Sequence, residues 1–395
     1  MGKIDELIQQ YCPEGVEYVP IWSLTAWDKK FNGVEKSKQT KVIKYNYLLA
    51  ADLKSYQVEN GTVKLLTTNI SNLYTTEELS DGLASDGEVV AIPWGGNPIV
   101  QYYKGRFLTA DNRIATSLDT NILNNKFLYY CMLSQMKLIA SFYRGSGIKH
   151  PEMSKVLDLE IPLPPLPVQE AIVNILDRFA VYTAELQAEL QAELQARQQQ
   201  YNYYRDTLLS FEGREDVQWK KLGEVCKVLR GKRLTKSQLS SDGMYKVFHG
   251  GIEPIGFFDQ SNREGDTTMV INVGASAGTV GFSKEAFWSS DGCFCLSHTP
   301  ILSGRFLYYY LQTKEPILMS RVRKAGIPTL DGKVLEDIPI PIIPIIEQER
   351  IISILNRFDT LVNDLSQGLP AEIEARQQQY EYYRDQLLTF KRKEA

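Results

Sequence analysis

The chain has 395 residues, 43% of them hydrophobic and 23% charged, with a formal net charge of −4. That length leaves room for two or three domains of roughly 100–200 residues, and the ordinary hydrophobic content excludes wholesale disorder. The longest apolar run, residues 338–346, is broken by prolines and falls well short of the ~18–20 residues that span a bilayer, so no membrane association is expected. Glu6 stands where a myristoylation signal needs Ser or Thr, and no signal-peptide pattern opens the chain. Five cysteines without an export signal point to reduced thiols and a cytoplasmic setting.

In chain order, an N-terminal helix leads into a first variable region, residues 14–160, rich in Gly, Thr, Tyr and Val. Its strand-like runs include Glu88-Val89-Val90-Ala91-Ile92. A proline-punctuated run at 159–167 follows, and Gln169-Glu170 then opens a helical pattern. Ile172, Ile175, Leu176 and Phe179 form an i, i+3, i+4, i+7 stripe, continued by Leu186, Leu190, Leu194, Tyr201, Tyr204 and Leu208. No Gly or Pro interrupts residues 168–211, which predicts one helix of roughly 40 residues, or ~60 Å. A second variable region, residues 215–339, carries strand-like Thr268-Met269-Val270-Ile271-Asn272-Val273. A second helical tail closes the chain, with a break expected at Gly368 and Pro370.

The two tails are copies. Ala196-Arg197-Gln198-Gln199-Gln200-Tyr201 returns as Ala375-Arg376-Gln377-Gln378-Gln379-Tyr380, an offset of 179 residues. The same offset relates Ile175-Leu176-Asp177-Arg178-Phe179 to Ile354-Leu355-Asn356-Arg357-Phe358, and Phe127-Leu128-Tyr129-Tyr130 to Phe306-Leu307-Tyr308-Tyr309. The starts of the variable regions correspond at a different offset: Glu14-Gly15-Val16-Glu17-Tyr18 resembles Glu215-Asp216-Val217-Gln218-Trp219. The chain is therefore two related halves, each a divergent head followed by a similar tail. Two long striped helices from a duplication are expected to run antiparallel about a pseudo-two-fold axis.

Charge follows the same division. Residues 161–211 hold 3 basic and 6 acidic side chains and residues 340–390 hold 4 and 8, so the heads and termini are net positive. Lys220, Lys221, Lys227, Arg230, Lys232, Arg233 and Lys236 crowd one stretch of the second head. An acidic spacer with basic heads suits contact with DNA through the heads and with proteins through the spacer. A solvated loop of ordinary lysines is the plainer alternative.

Catalytic patterns are missing. The glycine-rich 274–281 lacks the Lys-Ser/Thr ending of a phosphate loop and reads better as a strand-turn-strand corner. Ile92-Pro93-Trp94-Gly95-Gly96-Asn97-Pro98 only echoes the tetrapeptide with which methyltransferases hold a flipped base. Cys293 and Cys295 with His298 offer no fourth metal ligand, so buried structural cysteines are favoured over zinc. Glu77-Glu78 read as loop acids, and His150 and His249 have no triad partner at a recognisable spacing.

The duplicated Gln-Glu, Ile-Leu-Asp/Asn-Arg-Phe and Ala-Arg-Gln-Gln-Gln-Tyr-x-Tyr-Tyr-Arg-Asp-x-Leu-Leu segments resemble the repeated conserved regions of type I restriction–modification specificity subunits. Arg144-Gly145-Ser146-Gly147-Ile148 and Arg323-Lys324-Ala325-Gly326-Ile327 resemble that family's glycine-containing loop. The resemblance covers essentially the full chain. It implies an α+β protein with two globular α/β target recognition domains separated by two long antiparallel, coiled-coil helices. The boundaries would be residues 1–160 for the N-terminal helix and first recognition domain, and 161–213 for the central helical spacer. Residues 214–339 would be the second recognition domain and 340–395 the C-terminal spacer. It implies a non-catalytic subunit whose heads each read one half of a split, asymmetric site on double-stranded DNA, in a bacterial or archaeal cytoplasm. Its helices would dock two modification (methyltransferase) subunits, and the full complex would add two restriction subunits. S-adenosylmethionine, ATP and magnesium would belong to those partners, with no cofactor in this chain. A coiled-coil scaffold with two non-catalytic binding heads is the alternative.

Within the central helix, Thr183-Ala184-Glu185-Leu186, Gln187-Ala188-Glu189-Leu190 and Gln191-Ala192-Glu193-Leu194 form a tandem four-residue repeat. Some members of the family use such a repeat to set the length of the unspecified DNA between half-sites. Coiled-coil filler is the other reading, since all four residue types are good helix formers. Candidate DNA contacts are Lys29, Lys30, Lys36, Lys38, Arg113, Arg144 and Lys149 in the first head. In the second they are Arg230, Lys232, Arg233, Lys236, Arg321, Arg323 and Lys324. Arg144 and Arg323 stand out because they occupy matched positions of the repeat. Arg197, Tyr201 and Tyr204, with their copies Arg376, Tyr380 and Tyr383, either pack the helices together or dock partner subunits.

Overall fold

The computed structural model describes residues 2–297, 299–363 and 368–394. The chain folds as two compact units: Met1–Gln187 with Ala375–Ala395, and Ala188–Glu374. No helix among the described residues is long and apolar enough to cross a membrane.

In the first unit, strand Tyr18–Pro20 pairs antiparallel with Glu160–Pro162 and so ties together the two ends of the head. Between them lies a six-stranded sheet, in the order Thr25–Trp27, Asn112–Ser117, Ser85–Pro93, Gln101–Thr109, Val63–Leu66, Tyr74–Thr75. The apolar run at 88–92 is a strand covered on both faces. Val90 and Ile92 pack with Phe127 and Leu128 of helix Asn125–Ser134, while Val89 and Ala91 pack with Phe107 and Ile114. Alternation of successive side chains sends them to opposite sides. Asn124 caps that helix by accepting from the backbone N–H groups of Lys126 and Phe127.

The central helix is continuous over Leu166–Leu208, 43 residues. It begins two residues before the expected position, with Pro167 in the first turn, where a missing N–H costs nothing. Val168, Ile172 and Leu176 are fully buried in a cluster with Ile4 and Leu388, each side chain contributing about 1.5–3 kcal/mol of apolar burial. The end of helix Leu369–Leu387 lies on this first unit and runs antiparallel to the start of the central helix. Gln187 Nε2 donates to Gln377 Oε1 at 2.9 Å, and the Phe179 and Tyr383 ring centroids are 6.3 Å apart. The chain ends also meet: Val16 N donates to Lys391 O and Lys393 N to Val16 O, at 2.9 and 3.0 Å.

The second unit repeats this plan with a different head. Strand Gln218–Lys221 pairs antiparallel with Pro339–Ile342, the counterpart of the first unit's tie. The head has a four-stranded sheet, ordered Lys227–Arg230, Cys293–Ser297, Thr267–Ile271, Val280–Ser283, and a three-stranded sheet, ordered Pro254–Phe258, Tyr245–Phe248, Trp288–Ser289. Tyr201, Leu209 and Phe211 from the chain after residue 188 share a core with Ile351, Leu355 and Val362 of helix Ile345–Asn363. The second tail is thus two helices, Ile345–Asn363 and Leu369–Leu387, with Pro370 in the first turn of the latter. Residues 364–367, just before the expected break at Gly368 and Pro370, lie outside the described residues.

Two smaller expectations are settled by packing. The 274–281 segment joins strand Thr267–Ile271 to Val280–Ser283 as a corner. Glu77 and Glu78 are not loop acids: they open helix Glu77–Ser80, where acidic side chains suit the positive end of the helix dipole, and Glu77 pairs with Arg106 at 2.7 Å.

The strongest signature of duplication is a buried glutamine. Gln169 Nε2 donates to Ile122 O and Pro164 O, both at 2.8 Å, and its Oε1 accepts from Asn124 N. Gln348 makes the same three bonds to Ile301 O, Ile343 O and Ser303 N. Every partner is displaced by 179 residues. In each unit this glutamine locks the turn before the head's helix onto the start of the tail helix.

Candidate nucleic-acid interface

Each head gathers basic residues at one end of its main sheet. In the first unit, strand Thr25–Trp27 ends at Asp28-Lys29-Lys30, strand Ser85–Pro93 ends at Trp94, and the short hairpin Tyr143–Arg144/His150–Pro151 lies beside them. A chain of contacts joins these parts. Asp28 Oδ2 lies 3.8 Å from Arg113, whose guanidinium sits 4.3 Å above the Trp94 ring; His150 packs on Trp94 at 5.1 Å and bonds to its carbonyl at 2.7 Å. Gly96 N donates to Lys149 O at 3.1 Å. Lys29 lies over the Tyr47 ring, and Tyr47 OH bonds to Asp28.

Burial raises the Asp28 carboxyl above its ordinary range, against the lowering effects of Tyr47, the Ile114 N–H, Arg113 and Lys29. The same burial, with Asp28 beside it, pushes the Tyr45 hydroxyl up to about 12.

In the second unit the corresponding end is joined mainly by backbone. Gly231 N donates to Cys293 O, Asn272 N to Gly292 O, Leu330 N to Asn272 O, and Gly274 N to Pro328 O. These bonds bring Arg230, Lys232 and Arg233 to the same sheet end as the loop that carries Arg323 and Lys324. Arg323 and Thr329 exchange both backbone bonds, at 2.9 and 3.1 Å. Arg144 pairs with His150 across the first hairpin, so the two loops match residue for residue at the 179 offset.

The predicted contacts thus fall into distinct places. Lys30, Arg144, Lys149, Arg230, Lys232, Arg233, Lys236, Arg321, Arg323 and Lys324 are exposed, and Lys29 is half-buried. Lys36 is exposed on a short turn, and Lys38 on that turn is held by both Asp158 oxygens, at 2.6 and 2.9 Å. Arg113 is 3% exposed and ion-paired to Asp28 and Asp111, so its charge acts inside the head as the support of Trp94 and, through it, of the Arg144 hairpin. Arg144 itself lies 4.0 Å from Glu152.

On the helices, Tyr201 is buried and donates to Gln312, and Tyr380 is half-buried. Tyr204 stacks on Phe358 at 5.3 Å, as Tyr383 meets Phe179. Arg197 is held by Glu193 and Gln200, and Arg376 by Gln379. Tyr204 and Tyr383 thus pack against neighbouring helices, Tyr201 against helix Gly304–Ser320 of the head, and the two arginines bond within their own helices. The more exposed tyrosines of this duplicated segment are their neighbours Tyr203 and Tyr382, 67% and 60% exposed, which the sequence reading did not single out although the repeat marks them equally.

All five cysteines are buried thiols, with burial pushing Cys226 and Cys293 up to about 12. Among the described residues no group of three His, Cys, Asp or Glu side chains could hold a metal ion. His298 lies outside them.

The profile described as the type I restriction modification DNA specificity domain matches residues 29–196 and again 214–375. The chain belongs to the type I restriction–modification specificity-subunit family. It is 34% identical over 341 residues to a Haemophilus influenzae protein named as a type I restriction enzyme specificity subunit, covering 80% of this chain and 86% of that one. It is also 33% identical to the Escherichia coli EcoR124I/EcoR124II specificity subunit, over 71% of this chain and 75% of the relative. The crystal structure of a type I restriction–modification S subunit from M. genitalium shares the fold, with a TM-score of 0.53 at 20% identity over 95% of this chain and 96% of that one.

Proposed function

We propose that this specificity subunit reads a split site on double-stranded DNA, one half with each head. Residues 1–160 and 214–339 serve as target recognition domains, and 161–213 and 340–395 as helical spacers. The observation that carries the reading is the matched pair of basic sheet ends, each with an arginine hairpin at the same position of the repeat. Arginine at such a tip suits bidentate contact with a guanine edge or a phosphate. The exposed Lys30, Lys149, Lys232, Arg233 and Lys324 would supply backbone registration, with Lys29, Lys36, Lys236, Arg230 and Arg321 at the margins. Lys38 is held at the surface by Asp158, and Arg113 supports the head from within.

The chain itself performs no chemistry. Two modification subunits dock on the helices through the Tyr203 and Tyr382 faces and carry S-adenosylmethionine, and two restriction subunits add ATP- and magnesium-dependent cleavage. The complex works in a bacterial cytoplasm. In the tandem repeat, Thr183, Leu186, Leu190 and Leu194 are half-buried while the Ala and Glu positions are exposed. Each unit adds ~6 Å of helix against ~3.4 Å of DNA per base pair, which suits a ruler for the spacer.

The test is the methylated-sequence map of DNA from cells expressing this chain with its modification subunit. The expected result is a split motif, methylated on adenine in both halves, that appears only when both chains are present. Arg144→Ala should relax the first half alone and Arg323→Ala the second alone, by about 1–3 kcal/mol each. Deleting one repeat unit should shorten the gap and leave both halves unchanged. No new methylation with an active partner would sink the reading.

A further inference from the structure

The two arginine hairpins share a feature that the basic sheet ends do not explain. At the tip of the first stands Ile148, 70% exposed, and at the matched position of the second stands Ile327, 71% exposed. Single exposed apolar side chains are common. Here one recurs at the same offset, on the same hairpin, inside heads whose sheets are otherwise different. Gly147-Ile148 and Gly326-Ile327 are the part of the tip that both copies keep.

The tips are also built to stay in place. The hairpin base is paired in both, Arg144 with His150 and Arg323 with Thr329. In each head a glycine N–H then grips the residue after the tip: Gly96 N to Lys149 O, and Gly274 N to Pro328 O. Both glycines adopt positive φ, 105° and 96°, a region other residues rarely occupy. Gly95 leaves space for the first tip, since a side chain there would place its first carbon 2.9 Å from Ile148 Cγ2. Order of this kind lowers the entropy lost on binding.

The surroundings indicate what the isoleucine meets. Exposed cations flank each tip, Arg144 and Lys149 in one head, Arg323 and Lys324 in the other, which matches a polyanion rather than an apolar protein groove. A two-stranded ribbon fits the major groove, about 12 Å wide, and not the minor groove at about 6 Å. There the apolar group offered by a base pair is the thymine C5-methyl.

We propose that Ile148 and Ile327 are specificity-determining residues, each packing against a thymine methyl in the major groove of its own half-site. The inference rests on the DNA-reading function above and goes beyond it in naming the base feature read. It requires a thymine, on either strand, in each half-site.

The experiment uses the full chain assembled with its modification subunits, and duplexes in which each thymine of the target is replaced in turn by deoxyuridine, which lacks only the methyl. One replacement per half-site should weaken specific binding by roughly threefold to tenfold, the value of one buried methyl with its packing. Ile148→Ala should lose a similar factor and abolish the deoxyuridine penalty in the first half only, and Ile327→Ala should do the same in the second. Ile148→Val should retain most of the binding. Additive losses, with the deoxyuridine penalty intact in the alanine variants, would overturn the inference while wild-type specific binding left the DNA-reading function standing. So would a half-site without any A·T pair. Absence of specific binding by the wild-type complex would remove both.

Discussion

The two units carry out the same construction with different materials. In the first, a six-stranded sheet supports its hairpin through side chains, from Asp28 and Arg113 to Trp94 and His150. In the second, two smaller sheets support the matching hairpin through backbone bonds from Asn272 and Gly274. Besides the hairpin itself, what the halves share lies where head meets tail: the buried Gln169 and Gln348, and the tyrosines Tyr130 and Tyr309, which donate to Asp177 and Asn356, both at 2.7 Å. The joint and the hairpin tip are kept, and the sheets around them have diverged. That is the arrangement expected of a protein whose heads can change target while the partner-binding scaffold stays the same.

The largest expected effect breaks the symmetry. Arg113→Ala takes the guanidinium from the buried Asp28, leaving it the Tyr47 hydroxyl and the Ile114 N–H, and should cost the first unit about 3 kcal/mol, while the second unit, built without this ion pair, is untouched. Hydrogen exchange, read separately for strands Ser85–Pro93 and Thr267–Ile271, checks this. Equal loss of protection in both would end the claim that the heads are supported differently.

Next come the joints, where symmetry should hold. Gln169→Ala and Gln348→Ala each strand one backbone N–H and two carbonyls, and each should cost about 2–3 kcal/mol. Urea denaturation of the two variants should give matching losses; a twofold disparity would show that the joints are not equivalent.

Smaller still is the effect on assembly. Tyr203→Ala and Tyr382→Ala remove exposed rings and should change stability by less than about 0.5 kcal/mol. Each should weaken binding of one modification subunit by about 2 kcal/mol, measured by calorimetric titration. Retained affinity in the double variant would return the docking role to another surface.

The smallest effect concerns pH. Burial raises Asp28, so the folded chain holds this proton more readily than the unfolded one. Its contribution to stability is full below the ordinary carboxylate pKa and is lost as pH rises through the raised folded value. Asp28→Asn should remove that component, so wild type minus variant stability should decline with rising pH over the window from about 4 upward. A flat difference would show that Arg113 and Tyr47 balance burial, and a rising one that they outweigh it.

Much of this molecule was legible as a string of residues because its largest features are local or repeated. Uninterrupted good helix formers made the central helix visible, apolar runs bounded by turns marked the strands, and an offset of 179 residues exposed the duplication. The candidate contacts were less legible. Arg113 and Arg144 look alike in sequence, yet one is buried against the Trp94 ring and the other stands on a hairpin. Tyr201 and Tyr203 are two residues apart, and a helix turns them to opposite fates, one into the core and one into solvent.

By itself the sequence determined the two-fold repeat, the long helices, the strands at 88–92 and 268–273 and the family, since helix and strand periodicity and internal identity depend only on neighbouring residues and on alignment. Tertiary structure decided which part of each tail completes which unit: residues 375–395 join the first, and the central helix from residue 188 joins the second, which ends at residue 374. It also decided which cations face solvent and which are spent inside a head. Those outcomes depend on desolvation and on pairing between residues far apart in the chain, and neither leaves a periodic trace in the sequence.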